Sequence, residues 1–235
     1  MKRLVLGSTA ALCVFALLVV GALANAGEQC RDDAMLVLDS SGSMAGTDMS
    51  SLTPHVTKVR DALAAVVPEV APRRNLGLLV YGPGKESRCE NIDLKLPPAP
   101  NNAETILAEV NGVVPFGETP LTAAVRDAAE VLEFREKPSV IVLLTDGEET
   151  CGGDPCQLAR RLNAEARKLT IHVVRFKVAG AHTWLVPEKR SQCMAEETGG
   201  LALTAETRDE LIQALQKTLG CPLFSKAGRR GAAER

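Results

Sequence analysis

Three short stretches of this chain carry oxygen-bearing side chains at spacings that suit a metal ion. The first is Asp39-Ser40-Ser41-Gly42-Ser43, directly after an apolar run. Alternate residues here point to one side, so Asp39, Ser41 and Ser43 offer one carboxylate and two hydroxyls, and Gly42 lets the backbone turn tightly between them. The other two are Thr119, in Gly117-Glu118-Thr119-Pro120-Leu121, and Asp146, in Thr145-Asp146-Gly147. All five are hard oxygen donors, matched to Mg2+ and compatible with Mn2+ or Ca2+. Each stretch also has an ordinary reading alone. Ser41 and Ser43 suit a loop bonded to its own backbone, Thr119 suits a helix N-cap ahead of a first-turn proline, and Asp146-Gly147 is a common turn pair. Their coincidence at the ends of separate elements favours the metal reading.

The elements that must position these residues follow from hydrophobic patterning. Ala34–Leu38 is a short unbroken apolar run, as expected of a strand buried on both faces in a parallel sheet. The same pattern recurs at Leu76–Tyr81, Ser139–Thr145 and Ile171–Val178, and more weakly at Leu201–Thr204. Helical patterns lie between them at Pro54–Val67, Ala103–Val110, Pro120–Phe134, Pro155–Leu169, Glu188–Thr198 and Thr207–Leu219. The segment Gly82–Pro100 breaks the alternation, with one extended stretch at Ile92–Leu96, and reads as a hairpin returning antiparallel at a sheet edge. The expected fold is α/β: a doubly wound, mostly parallel six-stranded sheet with one antiparallel edge strand and helices on both faces. In such a sheet the carboxyl ends of the first and fourth strands adjoin at the switch point, where Asp39 and Asp146 can share an ion.

Taken in order, D-x-S-x-S, a Gly-x-Thr-Pro-Leu turn and a strand ending in Thr-Asp-Gly resemble the metal-ion-dependent adhesion site of von Willebrand factor type A (VWA) domains. The likeness covers about residues 32 to 220, and TDGEETCGGDPC with SQCMAEETGG looks like a bacterial exported subgroup. The resemblance implies a Rossmann-like VWA fold, with Ser41, Ser43 and Thr119 as direct ligands and Asp39 and Asp146 acting largely through water. It also implies a function. Two carboxylates do not saturate a divalent ion that prefers about six oxygens, so a Glu or Asp of a protein partner can complete the shell.

Lys2 and Arg3, the apolar run Leu4–Leu23 and Ala24-Asn25-Ala26 have the three regions of an export signal, with cleavage expected after Ala26. The run is long enough to span a bilayer, so an uncleaved anchor is the alternative, and the only route to a membrane. Cys13 lacks a lipobox around it. The expected division is a signal peptide over 1–26, a VWA domain over 27–222 and a disordered tail over 223–235, in a periplasmic or secreted protein. The chain carries 27 basic and 29 acidic residues. Losing Lys2 and Arg3 shifts the net charge from −2 to −4. Without a basic stripe outside the tail, nucleic acid is not an expected partner.

Six cysteines remain after the signal: Cys30, Cys89, Cys151, Cys156, Cys193 and Cys221. An even count behind an export signal favours disulfides. His55, His172 and His182 do not fall near cysteine at zinc-ligand spacing. In the expected architecture both chain ends emerge opposite the metal, which pairs Cys30 with Cys221. Cys151 and Cys156 flank Gly152-Gly153-Asp154-Pro155 and are expected to close a small loop, the alternative being a free thiol or a bond to Cys89 or Cys193. Cys89 with Cys193 then follows by elimination.

Enzyme signatures fail on spacing. Ser43 sits one place early for a G-x-S-x-G nucleophile elbow, and Leu79 occupies the first-glycine place of a P-loop ending at Gly84-Lys85. The acidic group Asp146, Glu148, Glu149 and Asp154 suggests a hydrolytic metal site less well than a solvated loop around an adhesion ion. The expectation is a non-enzymatic, metal-dependent binding module. The alternative is a structural cell-envelope domain that binds through the 82–100 hairpin and whose metal site is vestigial.

Overall fold

The computed structural model describes residues 30, 32–47, 52–84, 86, 88–176 and 191–221. The expected signal segment, Cys13, the residues after Phe176 in the fifth strand, His182, the start of the helix expected from Glu188 and the tail lie outside these residues. The elements are β1 (Asp33–Asp39), α1 (His55–Val70), β2 (Leu76–Tyr81), β3 (Ile92–Ala99), α2 (Ala103–Gly112), α3 (Leu121–Val131), β4 (Pro138–Thr145), α4 (Pro155–Glu165), β5 (Lys168–Phe176), α5 (Gln192–Thr198), β6 (Ala202–Ala205) and α6 (Arg208–Leu219). They form a six-stranded sheet in the order β3-β2-β1-β4-β5-β6. Every neighbouring pair is parallel except β2 with β3.

Strand side chains alternate between the two sheet faces. Ala34, Leu36 and Leu38 of β1 join Leu78 and Val142 in a core under α1, α2 and α6. Met35 and Val37 join Leu79, Ile141 and Leu143 in a second core under α3, α4 and α5. Burial on both faces is why β1 and β4 read as unbroken apolar runs. Helix α1 turns Val56, Val59, Leu63, Val66 and Val70 inward at helical spacing. Helix α6 begins with a capping box, in which Thr207 accepts from the Glu210 N–H and Glu210 reaches back to the Thr207 N–H.

The differences from expectation are local. β3 runs on to Ala99 through Pro97 and Pro98, residues an edge strand tolerates because one side of its backbone is unpaired. Helix α4 stops at Glu165, and Lys168 and Leu169 belong to β5, paired with Pro138 and Ser139.

The cysteine pairing needs correction. Cys30–Cys221 is present, with Cα atoms 5.2 Å apart. Cys151–Cys156 and Cys89–Cys193 are not; the bonds are Cys89–Cys151 and Cys156–Cys193, at Cα separations of 5.6 and 5.4 Å. The chain reverses at Gly152, whose φ is 79°, and Asp154 caps the start of α4 between the two cysteines. Cys156 therefore sits in the first turn of α4 and meets Cys193 in α5, whereas Cys151 stays in the loop and meets Cys89 beside β3. Among the described residues no helix is long and apolar enough to cross a membrane.

Candidate metal centre

The switch point lies between β1 and β4, because the chain leaves β1 for β2 on one side and returns to β4 on the other. The two strands pair with each other up to Leu38 and Leu144, and Asp39 and Thr145 are the last residues of β1 and β4, held in the sheet by Tyr81 of β2 and Arg175 of β5. One Asp39 oxygen accepts from the Ser41 N–H at 2.8 Å and from the Ser41 hydroxyl at 2.6 Å. The other accepts from the Thr145 hydroxyl at 2.6 Å. Ser41 Oγ lies 3.0 Å from Ser43 Oγ, and Ser43 donates to Asp146 Oδ1 at 2.5 Å. Asp39, Ser41, Ser43 and Asp146 thus form one continuous chain of contacts across the switch point.

Thr119 completes the group from a third segment. The loop that carries it lies against the first, with Phe116 N–H donating to Ser40 O, Gly42 N–H to Gly117 O and Gly117 N–H to Gly82 O. This close approach requires glycine at 82. Its φ is 72°, and a Cβ there would fall 2.7 Å from the Glu118 carbonyl and 2.8 Å from the Ser41 nitrogen. A Cβ built on Gly147 would meet Ser43 Oγ at 3.7 Å and Thr119 Oγ1 at 3.9 Å, so both hydroxyls face the same spot. The N-cap position of α3 is Pro120, not Thr119. The Thr122 N–H in its first turn is taken by Glu149 Oε2 at 2.7 Å, which relieves the Thr119 hydroxyl of the capping role its sequence context offers.

The surrounding loop is partly exposed, and its polar side chains are also bonded into the fold. Thr150 accepts from the Thr119 N–H and its own N–H donates to the Thr119 carbonyl, clamping that residue on both sides. Glu148 pairs with Arg175 at 2.9 Å, Glu149 holds the Thr122 and Cys151 N–H groups, and Asp154 caps α4 through the Gln157 N–H. The acidic group that could suggest hydrolytic chemistry is therefore dispersed. His55, at the start of α1, places Nδ1 2.9 Å from Asp146 Oδ2. Sequence reasoning did not assign it, because its only signal is a position at the head of the helix after the serine loop.

Burial and, next, the charge of Asp146 push the Asp39 carboxyl above the usual carboxylate range, while hydrogen bonds from Ser41 and Thr145 pull it back. Two nearby carboxylates that repel one another beside three hydroxyls form a donor set that a hard cation would complete. Among the described residues no three His, Cys, Asp or Glu side chains converge, so an ion here would depend on the hydroxyls as much as on the carboxylates. Tyr81, opposite Asp39 in β2, is fully buried, and burial followed by the Asp39 charge holds its phenol well above the usual value.

The sheet order, the antiparallel edge and helices on both faces define an α/β fold of the VWA type, with a polar site at its switch point. Residues 34–149 match the family model described as von Willebrand factor type A domain. The uncharacterized protein YwmC of Bacillus subtilis (strain 168) is 31% identical over 151 residues, a match covering 60% of this chain and 64% of YwmC. YwmD of the same organism is 27% identical over 202 residues, covering 81% and 86%. Among solved structures, manganese-loaded Plasmodium vivax TRAP aligns with a TM-score of 0.55 at 17% identity, over 82% of this chain and 74% of that one. The pilus adhesin SpaC from Lactobacillus rhamnosus GG aligns with a TM-score of 0.62 at 18% identity, over 82% of this chain and 31% of SpaC. At these identities the structural likeness is one of fold.

Proposed function

We propose that the protein is an extracytoplasmic binding module whose switch-point site holds a divalent cation and, through it, a carboxylate of a protein partner. Ser41, Ser43 and Thr119 are the direct ligands, and Asp39 and Asp146 hold the ion largely through water. Mg2+ is the preferred ion, and Mn2+ or Ca2+ fit the same oxygens. When bound, the ion supplies a Lewis-acidic position that an Asp or Glu side chain of the partner can fill. The residues themselves do the positioning: buried strand ends fix Asp39 and Thr145, and Thr150 fixes Thr119 from both sides.

The observation that carries this reading is the unbroken contact chain Asp39–Ser41–Ser43–Asp146, with Thr119 facing it across Gly147. Three disulfides accord with an oxidising compartment, as does the signal-like segment ahead of Ala26. An adhesin and a manganese-loaded protein share the fold, which makes binding the natural use of the site. A non-enzymatic role accords with the engagement of Glu148, Glu149 and Asp154 in structural contacts.

The test is capture of a partner from an envelope extract on immobilised protein, in magnesium and then in chelator. Capture that needs magnesium and is lost in Asp39→Ala is expected. Capture that persists unchanged in chelator would contradict the reading and shift attention to the 82–100 hairpin.

A further inference from the structure

Tyr81, the chain's only tyrosine, ends β2 with its Cα paired to that of Asp39. Its side chain is fully buried, on the sheet face that also carries Met35 and Val37 of β1. Asp39 continues their alternation, so the phenol and the carboxylate lie on one face at the carboxyl end of the sheet. The polar side chains that act on the phenol are Asp39 and Thr145, and more weakly Asp146. Its hydroxyl nevertheless closes a hydrogen bond with none of the described residues. Buried polar groups in native proteins are almost always bonded, so an unspent donor against a metal centre calls for a physical reason.

We propose that Tyr81 is a positioning residue of this centre, its hydroxyl donating to Asp39 when the site holds its cation. This rests on the metal reading given above.

Asp39 is held from two sides in the fold. Ser41 bonds it from its own loop, with N–H and hydroxyl, and Thr145 bonds it from β4. Tyr81 supplies the hydroxyl on the remaining flank, that of β2. The other hydroxyls of this row are committed, since Ser41 and Thr145 donate to Asp39 and Ser43 donates to Asp146. Burial, and then the charge of Asp39, hold the phenol well above its ordinary value, so it remains a neutral donor. It is also fixed in place. The Tyr81 carbonyl accepts the Ser40 N–H at 2.8 Å, and β2 is paired with β1 on one side and β3 on the other. A hydrogen bond completed only with the cation present adds its full worth to cation affinity, while the cation-free fold carries an unpaired hydroxyl.

Tyr81→Phe keeps the ring in the core and removes only that hydroxyl. In chelator its urea midpoint is expected to equal or exceed that of the original protein, because deleting an unpaired buried group forfeits no bond. Its calorimetric magnesium affinity is expected to fall about tenfold, as for groups that orient metal-holding side chains. A tyrosine that only fills the core would show the reverse, a lower midpoint with the same affinity. The original protein, isotopically labelled at tyrosine Cζ, gives one NMR resonance that reports on this hydroxyl. It is expected to move through a magnesium titration in step with the calorimetric saturation, and to stay in place when sodium is added to the same ionic strength. An intact isotherm with an unmoved resonance, or with equal affinity in Tyr81→Phe, overturns the role of Tyr81 and leaves the metal reading standing. A missing magnesium isotherm in the original protein overturns the metal reading and this role with it.

Discussion

His55 illustrates how a residue outside the donor set can govern it. His55 Nδ1 lies 2.9 Å from Asp146 Oδ2 while Ser43 donates to the other oxygen, so the carboxyl group is held from both sides. The ring meets Phe176 edge to face at 5.8 Å, so packing as well as the hydrogen bond fixes it. Groups that orient metal-holding side chains typically matter by about 10- to 100-fold in affinity. His55→Ala should weaken magnesium binding by that order in calorimetry, and an unchanged isotherm would exclude the orienting role. His172 makes a prediction of a different kind. Its Nδ1 accepts the Leu201 N–H at 2.9 Å, and burial followed by the charge of Arg74 pushes the imidazole down to about 4. An unfolded histidine titrates near about 6.5, so between these values the unfolded chain binds the extra proton. The stability present above pH ~6.5 is therefore lost as pH falls toward ~4. Urea midpoints of His172→Asn, which keeps an acceptor but does not titrate, should fall less steeply over that window than those of the original protein.

At the scale of elements, the parallel strands were legible because burial on both faces removes the usual polar alternation. Ala34–Leu38 and Ser139–Thr145 could be read as neighbours whose carboxyl ends carry Asp39 and Asp146. What could not be read was direction. Cys151 and Cys156 are close in sequence, yet helix α4 begins between them and sends one toward β3 and the other toward α5. Thr119 read equally well as a cap, and only the fold reveals that Glu149, from a distant loop, holds the Thr122 N–H instead. The two disulfides now separate by role. Cys156–Cys193 ties α4 to α5 away from Thr119, whereas Cys89–Cys151 anchors the loop whose Thr150 clamps it. Replacing Cys156 and Cys193 by serine should cost up to about 4 kcal/mol in denaturant unfolding and leave the magnesium isotherm intact. Replacing Cys89 and Cys151 should cost a similar amount and also weaken magnesium binding. Equal isotherms for the two double variants would contradict this division.

For the whole molecule, the Cys30–Cys221 bridge and the site lie at opposite ends of the sheet. Cys30 precedes β1 and joins Cys221 after α6, and Arg74 adds a buried bond to the Leu219 carbonyl at 2.9 Å. The bridge spans 191 residues of sequence, for which the chain-entropy relation gives about 5 kcal/mol as an upper figure. A Cys30→Ser/Cys221→Ser variant should melt at a markedly lower temperature while binding magnesium as before, because Asp39 and Thr145 remain fixed by strand pairing. The proposed function requires a single cation held jointly by three segments of the chain. Anomalous diffraction from crystals soaked in manganese locates it directly. One peak is expected within about 2.3 Å of Ser41 Oγ, Ser43 Oγ and Thr119 Oγ1, with Asp39 and Asp146 in reach through water. A density map with no peak at the switch point, or with Thr119 turned away from Ser43, would contradict it.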